Sequence, residues 1–215
     1  MEILDKIARR GFLKFGTLAI GALGLGSATA VGVKNAEAQS RRNLEIDVCC
    51  DANSIRFEGP QGPNPDDPVG DPGPHPYYGA SFVVQGVIYL GGTLPSSGSG
   101  LLPDGSPEFP DSVVGKWTCR GWFIGDSNDD ARGGILTPTG PFVATTQIYD
   151  LDTETPGERM IISDGVELID LNVPFKRPIT GGTGIYRKAR GEVTQTAIGA
   201  NQTGLFNFTF DFRLR

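Results

Sequence analysis

A single histidine, His75, stands in the whole chain, inside Pro-Gly-Pro-His-Pro. One histidine without a neighbouring cysteine excludes a zinc site of the usual four-ligand kind. Its proline-rich setting reads as a solvated loop. Cysteine is nearly as scarce: Cys49, Cys50 and Cys119. Adjacent cysteines rarely bond each other. In an oxidising compartment either Cys49 or Cys50 pairs with Cys119, or all three stay thiols, and both readings stay open. A basic excess is also lacking, with 19 Lys and Arg against 25 Asp and Glu. An acidic chain without a basic patch argues against nucleic acid and anionic membranes as partners. Beyond the first forty residues no segment carries a helical period.

What is present begins with an address. Arg9-Arg10-Gly11-Phe12-Leu13-Lys14 resembles the twin-arginine export signal, with Ala8 in place of the usual Ser or Thr. A weakly apolar, Gly- and Ala-rich run follows and ends in Ala36-Glu37-Ala38, a small-x-small cleavage site. The run is long enough to just span a bilayer. Its glycines and the cleavage site favour a removed leader over a membrane anchor. The mature chain then starts at Gln39, and the Tat translocase is its partner during export. The destination is the periplasm, the cell exterior or a thylakoid lumen. The leader takes five of the basic and three of the acidic residues, leaving fourteen against twenty-two, a formal charge of −8.

Residues 39–76 form a polar, Pro/Gly-rich segment in which Leu44 to Cys49 alternates enough for a short strand or tail. Glu58 to Pro76 has no periodicity, and proline removes ladder donors there. Asp66, Asp67 and Asp71 lack the spacing of an EF-hand loop. From Tyr77 to Arg215 the pattern is β throughout. Tyr77–Leu90, Lys116–Ile124, Pro141–Leu151 and Gly191–Ile198 read as strands, and Arg159–Leu168 as a strand or a hairpin through Asp164-Gly165. In Leu205–Leu214, Phe206, Phe208, Phe210, Phe212 and Leu214 share one face, which is the period of a half-buried strand. Strands joined by Gly/Pro turns without helices mean a sandwich or a barrel.

The stretch Pro178-Ile-Thr-Gly-Gly-Thr-Gly-Ile-Tyr-Arg-Lys-Ala-Arg-Gly-Glu-Val193 packs four glycines around three cations. A dinucleotide fingerprint needs these glycines to open a helix, and here an alternating strand follows instead. There is no Walker lysine. The glycines serve a tight strand connection. The segment Gly181 to Gly191 resembles the G-G-T-G-x-F-R-x-A-R-G signature of dirigent proteins. Ile179 to Tyr186 is similar to a segment of the related allene oxide cyclases. The resemblance covers roughly Tyr78 to Leu214.

It implies an all-β fold, an eight-stranded antiparallel barrel that works as a homotrimer without metal or organic cofactor. It also implies that the barrel interior orients a small apolar molecule and steers its cyclisation or isomerisation. Arg190, at the A-R-G position, is the implied catalytic arginine, a buried guanidinium facing a developing oxyanion. Tyr149 is the implied pocket tyrosine. Gln85, Cys119 and Tyr186 are the implied ligand contacts, Gln85 standing in the strand where the cyclases hold a carboxylate. Glu167 and Asp170 are candidate acid–base partners whose separation the sequence leaves unset. Ile185 replaces the acid that some dirigents place in the glycine loop. The missing carboxylates keep a non-catalytic binding protein and a structural envelope barrel as alternatives. N-terminal sequencing of the chain secreted by an exporting bacterium is expected to begin at Gln39. A start within the first thirty residues would refute the leader.

Overall fold

The computed structural model describes residues 43–59, 61–62, 75–76, 79–95, 98–124, 143–168 and 170–215. The signal residues Arg9, Arg10, Phe12, Leu13, Ala36 and Ala38 lie outside the described residues. Among the described residues eleven strands run in chain order: β1 (Asn43–Cys50), β2 (Arg56–Glu58), β3 (Gln61–Gly62), β4 (His75–Pro76), β5 (Ser81–Leu90) and β6 (Val113–Phe123), then β7 (Val143–Asp150), β8 (Met160–Glu167), β9 (Phe175–Gly182), β10 (Gly191–Ala200) and β11 (Phe206–Leu214).

Their hydrogen-bonded order is β1-β11-β10-β9-β8-β7-β6-β5, and β5 returns to β1. Every one of these pairings is antiparallel, so eight strands close into an antiparallel barrel. Closure removes the edges that so much β sequence would otherwise expose. β1 and β2 share one side of β5. They are separated by the turn Ala52–Ser54, which Asp51 caps by accepting from the Asn53 N–H at 2.9 Å. β3 and β4 form a separate two-residue ladder.

Among the described residues the barrel therefore includes Asn43–Cys50, ahead of the expected start at Tyr77. Leu44, Ile46, Val48 and Cys50 alternate into the core, so the segment that reads as a tail closes the barrel between β11 and β5. The Pro/Gly-rich stretch is an insertion between the first two barrel strands. Met160–Glu167 is one strand rather than a hairpin, with Gly165 held at φ 147° inside it. The phenylalanine stripe of β11 lines the interior: Phe208, Phe210, Phe212 and Leu214 are buried, and Phe208, Phe210 and Phe212 lie in register with Val48, Ile46 and Leu44 of β1.

Outside the barrel a smaller core forms where residues 91–95 and 98–112 fold over the β1–β5 seam. It holds Cys49, Tyr89, Leu94 and Leu101. Tyr89 Oη donates to the Gly100 carbonyl. The Leu94 N–H donates to Asp47 Oδ2 at 2.9 Å.

Cys49 and Cys50 are neighbours on a strand and point to opposite faces. Cys49 enters the outer cluster and donates to Asn207 Oδ1 at 2.7 Å, whereas Cys50 and Cys119 enter the barrel core. All three are buried free thiols. Burial pushes the Cys49 thiol up to about 12 and holds Cys50 and Cys119 well above the usual thiol value. The thiolate is the reacting form. A thiol reagent at pH 8 is therefore expected to label none of them in the native protein and all three after unfolding. A native disulfide in the intact mass would overturn this.

Candidate functional site

Four adjacent strands of the barrel put polar side chains on their inward face. β7 alternates Thr145, Gln147 and Tyr149 into the interior, β8 adds Ser163 and Glu167, β9 adds Arg177 and β10 adds Gln195. All seven are buried. Burying a guanidinium and a carboxylate costs several kcal/mol each unless they are paired and fully hydrogen-bonded. Here they are both. Arg177 Nη1 lies 3.4 Å from Glu167 Oε1.

A local break in the sheet makes room for the arginine. β9 pairs with β8 only from Ile161 to Ser163, with a register shift at Ile162/Ser163. Gly165, at a φ that favours glycine, continues β8 past this break. The guanidinium takes over as donor there. Nη1 donates to the Val166 carbonyl at 3.2 Å and Nη2 to the Thr145 carbonyl at 3.0 Å.

From Arg177 the donors run head to tail. Arg177 Nε donates to Ser163 Oγ at 3.2 Å. Ser163 Oγ and Tyr149 Oη lie 3.2 Å apart. Tyr149 Oη donates to Gln147 Oε1. Gln147 Nε2 donates to Gln195 Oε1 at 3.0 Å, and Gln195 Nε2 to Glu167 Oε2 at 3.1 Å. Because Tyr149 spends its proton on Gln147, Ser163 is the donor in the remaining contact. The circuit starts at the cation, ends at the anion and is closed by their ion pair. Each amide has one orientation that fits. Burial raises the Tyr149 phenol well above its ordinary value, with the Arg177 guanidinium opposing, so the phenol keeps its proton and acts as donor.

Glu167 has further donors. Thr145 Oγ1 donates to Oε1, and Cys119 Sγ lies 3.4 Å from the same oxygen. Aromatic rings wall the circuit: Tyr149 stands edge-on to Phe210 and Phe212 at centroid distances of 5.1 and 5.0 Å. Among the described residues no group of three His, Cys, Asp or Glu side chains is placed to hold a metal ion.

The sequence-chosen residues divide. Tyr149 and Cys119 enter this interior site. Tyr186 is buried in the turn Gly184–Tyr186 and packs on the end of β9, where a Cβ on Gly182 would lie 2.9 Å from the Tyr186 Cβ. It joins the main core but not the circuit. Arg190 is exposed, and its Nη1 donates to the Ala189 carbonyl at 2.7 Å and the Thr180 carbonyl at 3.3 Å. The expectation of a buried guanidinium at Arg190 is therefore corrected: Ala189 takes the buried position, and the interior arginine is Arg177. Gln85 falls on the outer face, because Val84 and Gly86 take the inner one. Its N–H donates to Ser54 Oγ at 2.8 Å beneath the Ala52–Ser54 turn. Glu167 pairs with Arg177 rather than with Asp170. Arg177, Gln147, Gln195, Thr145 and Ser163 were missed. Their one signal is a polar residue at an inward step of a strand, which needs the register to be seen.

No family model matches the chain, and no curated protein matches it. Among solved structures, a pyocyanin demethylase matches at 17% identity over 80% of this chain and 99% of that one, with a TM-score of 0.46. A pterocarpan synthase dirigent protein matches at 16% identity over 79% of this chain and 80% of that one, with a TM-score of 0.47. The barrel itself stands on the strand pairings given above.

Removing one partner of a buried ion pair leaves the other charge uncompensated, at a cost of about 3–5 kcal/mol. Arg177→Met is expected to lower the unfolding free energy by that amount in urea titrations. The double variant Arg177→Met/Glu167→Leu is expected to recover most of it. A double variant as unstable as the single one would show that the pair is not the cause.

Proposed function

We propose that the barrel interior binds a small, largely apolar molecule and directs its cyclisation or isomerisation. One observation carries this reading: a charged, fully oriented hydrogen-bond circuit is buried in an aromatic barrel. An apolar filling of equal volume would give as much stability or more. Buried charges arranged in this way are a mark of functional sites. The stretch from Gly181 to Gly191 that resembles dirigent proteins supports the same reading.

The chemistry fits a rearrangement. The interior offers a protonated phenol, Tyr149, and a carboxylate, Glu167, joined by two oriented amides. Charge that develops on a bound molecule meets fixed dipoles instead of reorganising water. A ring closure or a shift of a proton between two sites of one molecule leaves its atoms unchanged in number, so no co-reactant is required.

A second reading is a carrier that binds without turnover. It draws on the full occupation of Glu167, whose oxygens already accept from Thr145, Cys119 and Gln195 and lie in an ion pair with Arg177. We extend the proposal to the twin-arginine export of the chain to the periplasm or beyond, and to its assembly as a homotrimer.

The test begins with native mass spectrometry of the mature protein from an exporting host, which reads the oligomer and releases any retained molecule. That molecule is then incubated with wild type and with Glu167→Gln. Turnover by wild type and a loss of at least about a hundredfold in the variant, with binding retained, is the expected result. A ligand recovered unchanged from wild type would establish the carrier. Equal turnover by both proteins would remove Glu167 from the chemistry.

A further inference from the structure

One buried polar group of the interior stands outside the circuit. Trp117 lies on the inward face of β6 and is 2% exposed. Its Cα is in register with that of Tyr149, and its ring centroid lies 6.4 Å from that of Phe208. Its indole Nε1 is fully buried and has no hydrogen-bond partner among the described residues. The side chains of the circuit beside it all have partners.

Leaving a buried donor unpaired is unfavourable, and Phe at this position would fill most of the same space without an N–H. What satisfies this donor is a molecule whose bulk suits the aromatic wall and which carries one acceptor. The charge of that acceptor follows from the circuit. Arg177 already balances Glu167. A second buried anion would find no counterion, so the acceptor is neutral.

We propose that Trp117 Nε1 is a ligand-binding donor that selects apolar molecules carrying a neutral carbonyl-type oxygen, seated beside the Tyr149 end of the circuit. This rests on the reading that the interior binds small molecules, and it assigns the bound molecule's polar atom a specific partner.

The probes are 9-fluorenone and fluorene, planar molecules of nearly equal size that differ in one carbonyl. The protein is the mature full chain carrying Trp122→Phe. Trp122 is 57% exposed on the outer face of β6, so this change leaves Trp117 as the sole indole. Fluorenone is expected to bind about tenfold more tightly than fluorene, the worth of one hydrogen bond that satisfies a buried donor. The Trp117 side-chain 1H–15N resonance is expected to move downfield with fluorenone and to lack that shift with fluorene. In Trp117→Phe the preference is expected to vanish while fluorene still binds.

Equal affinity for the two probes in the parent would overturn the assignment while leaving interior binding intact. So would an indole resonance that ignores fluorenone, or a preference that survives in Trp117→Phe. Binding of neither probe would refute the binding reading itself, and the assignment with it. The resonance measurement needs no change at Trp117, so the outcome holds even if the Phe variant does not fold.

Discussion

The interior depends on a single ion pair. Arg177 and Glu167 are buried together, and neither charge is tolerable without the other. Once they are fixed, the rest of the polar interior follows in sequence. The anion requires Gln195 to turn its amide nitrogen inward, which presents its oxygen to Gln147. Gln147 must then turn its own oxygen to Tyr149. At the other end the cation takes the Ser163 oxygen, so the Ser163 proton goes to Tyr149. Directional order of this kind is costly to reverse, because flipping any one amide strands two buried partners.

The barrel makes that order possible by bringing residues from distant parts of the chain to one face. Gln147 and Gln195 belong to strands that are not neighbours, and they meet across the interior. The break in pairing between β8 and β9 is equally necessary. Were β9 to pair fully with β8, the Val166 carbonyl would have a ladder partner and the guanidinium would have one acceptor fewer. The backbone irregularity and the buried charge are thus two halves of one arrangement, an instance of local irregularity kept where a site needs it.

Much of the fold was legible because strand period and turn chemistry are local. The stripe from Phe206 to Leu214 announces its inward face, and Gly181 to Gly191 reads as a connection since no helix follows. β1 was less legible. Asn43–Cys50 precedes a long stretch without pattern, and only pairing with β5 and β11 makes it part of the barrel. The site was harder still. Arg177 stands in Phe-Lys-Arg-Pro, where a charged pair beside proline looks like an exposed link. Which of Lys176 and Arg177 turns inward is a matter of register, and one step reverses the face. The same step explains Gln85, which lies one residue from two inward positions. Arg190 was chosen by motif, yet its neighbour Ala189 holds the inward place. Tyr149 was singled out by resemblance alone, with a barrel-surface position left open, and its burial on the inward face of β7 is seen only in the structure.

Closure through β1 has a consequence for how the chain reaches its native state. Residues 43–49 pair with residues 207–213, almost the full length of the described chain. The β1–β5 seam is covered from outside by Tyr89, Leu94 and Leu101 around Cys49, and Cys49 binds Asn207 of β11. The pairing of β1 with β11 and the Cys49–Asn207 bond cannot form before the last strand has been made. Non-local pairings fold slowly, because loop-closure entropy is lost before the contact is gained. A chain threaded unfolded through a membrane would present its first and last barrel strands on the far side at different times, with β-rich segments unpaired between. The proposed twin-arginine route would carry the barrel already closed. It would thereby put the slow step, and the burial of Arg177 against Glu167 that comes with it, before the crossing rather than after it.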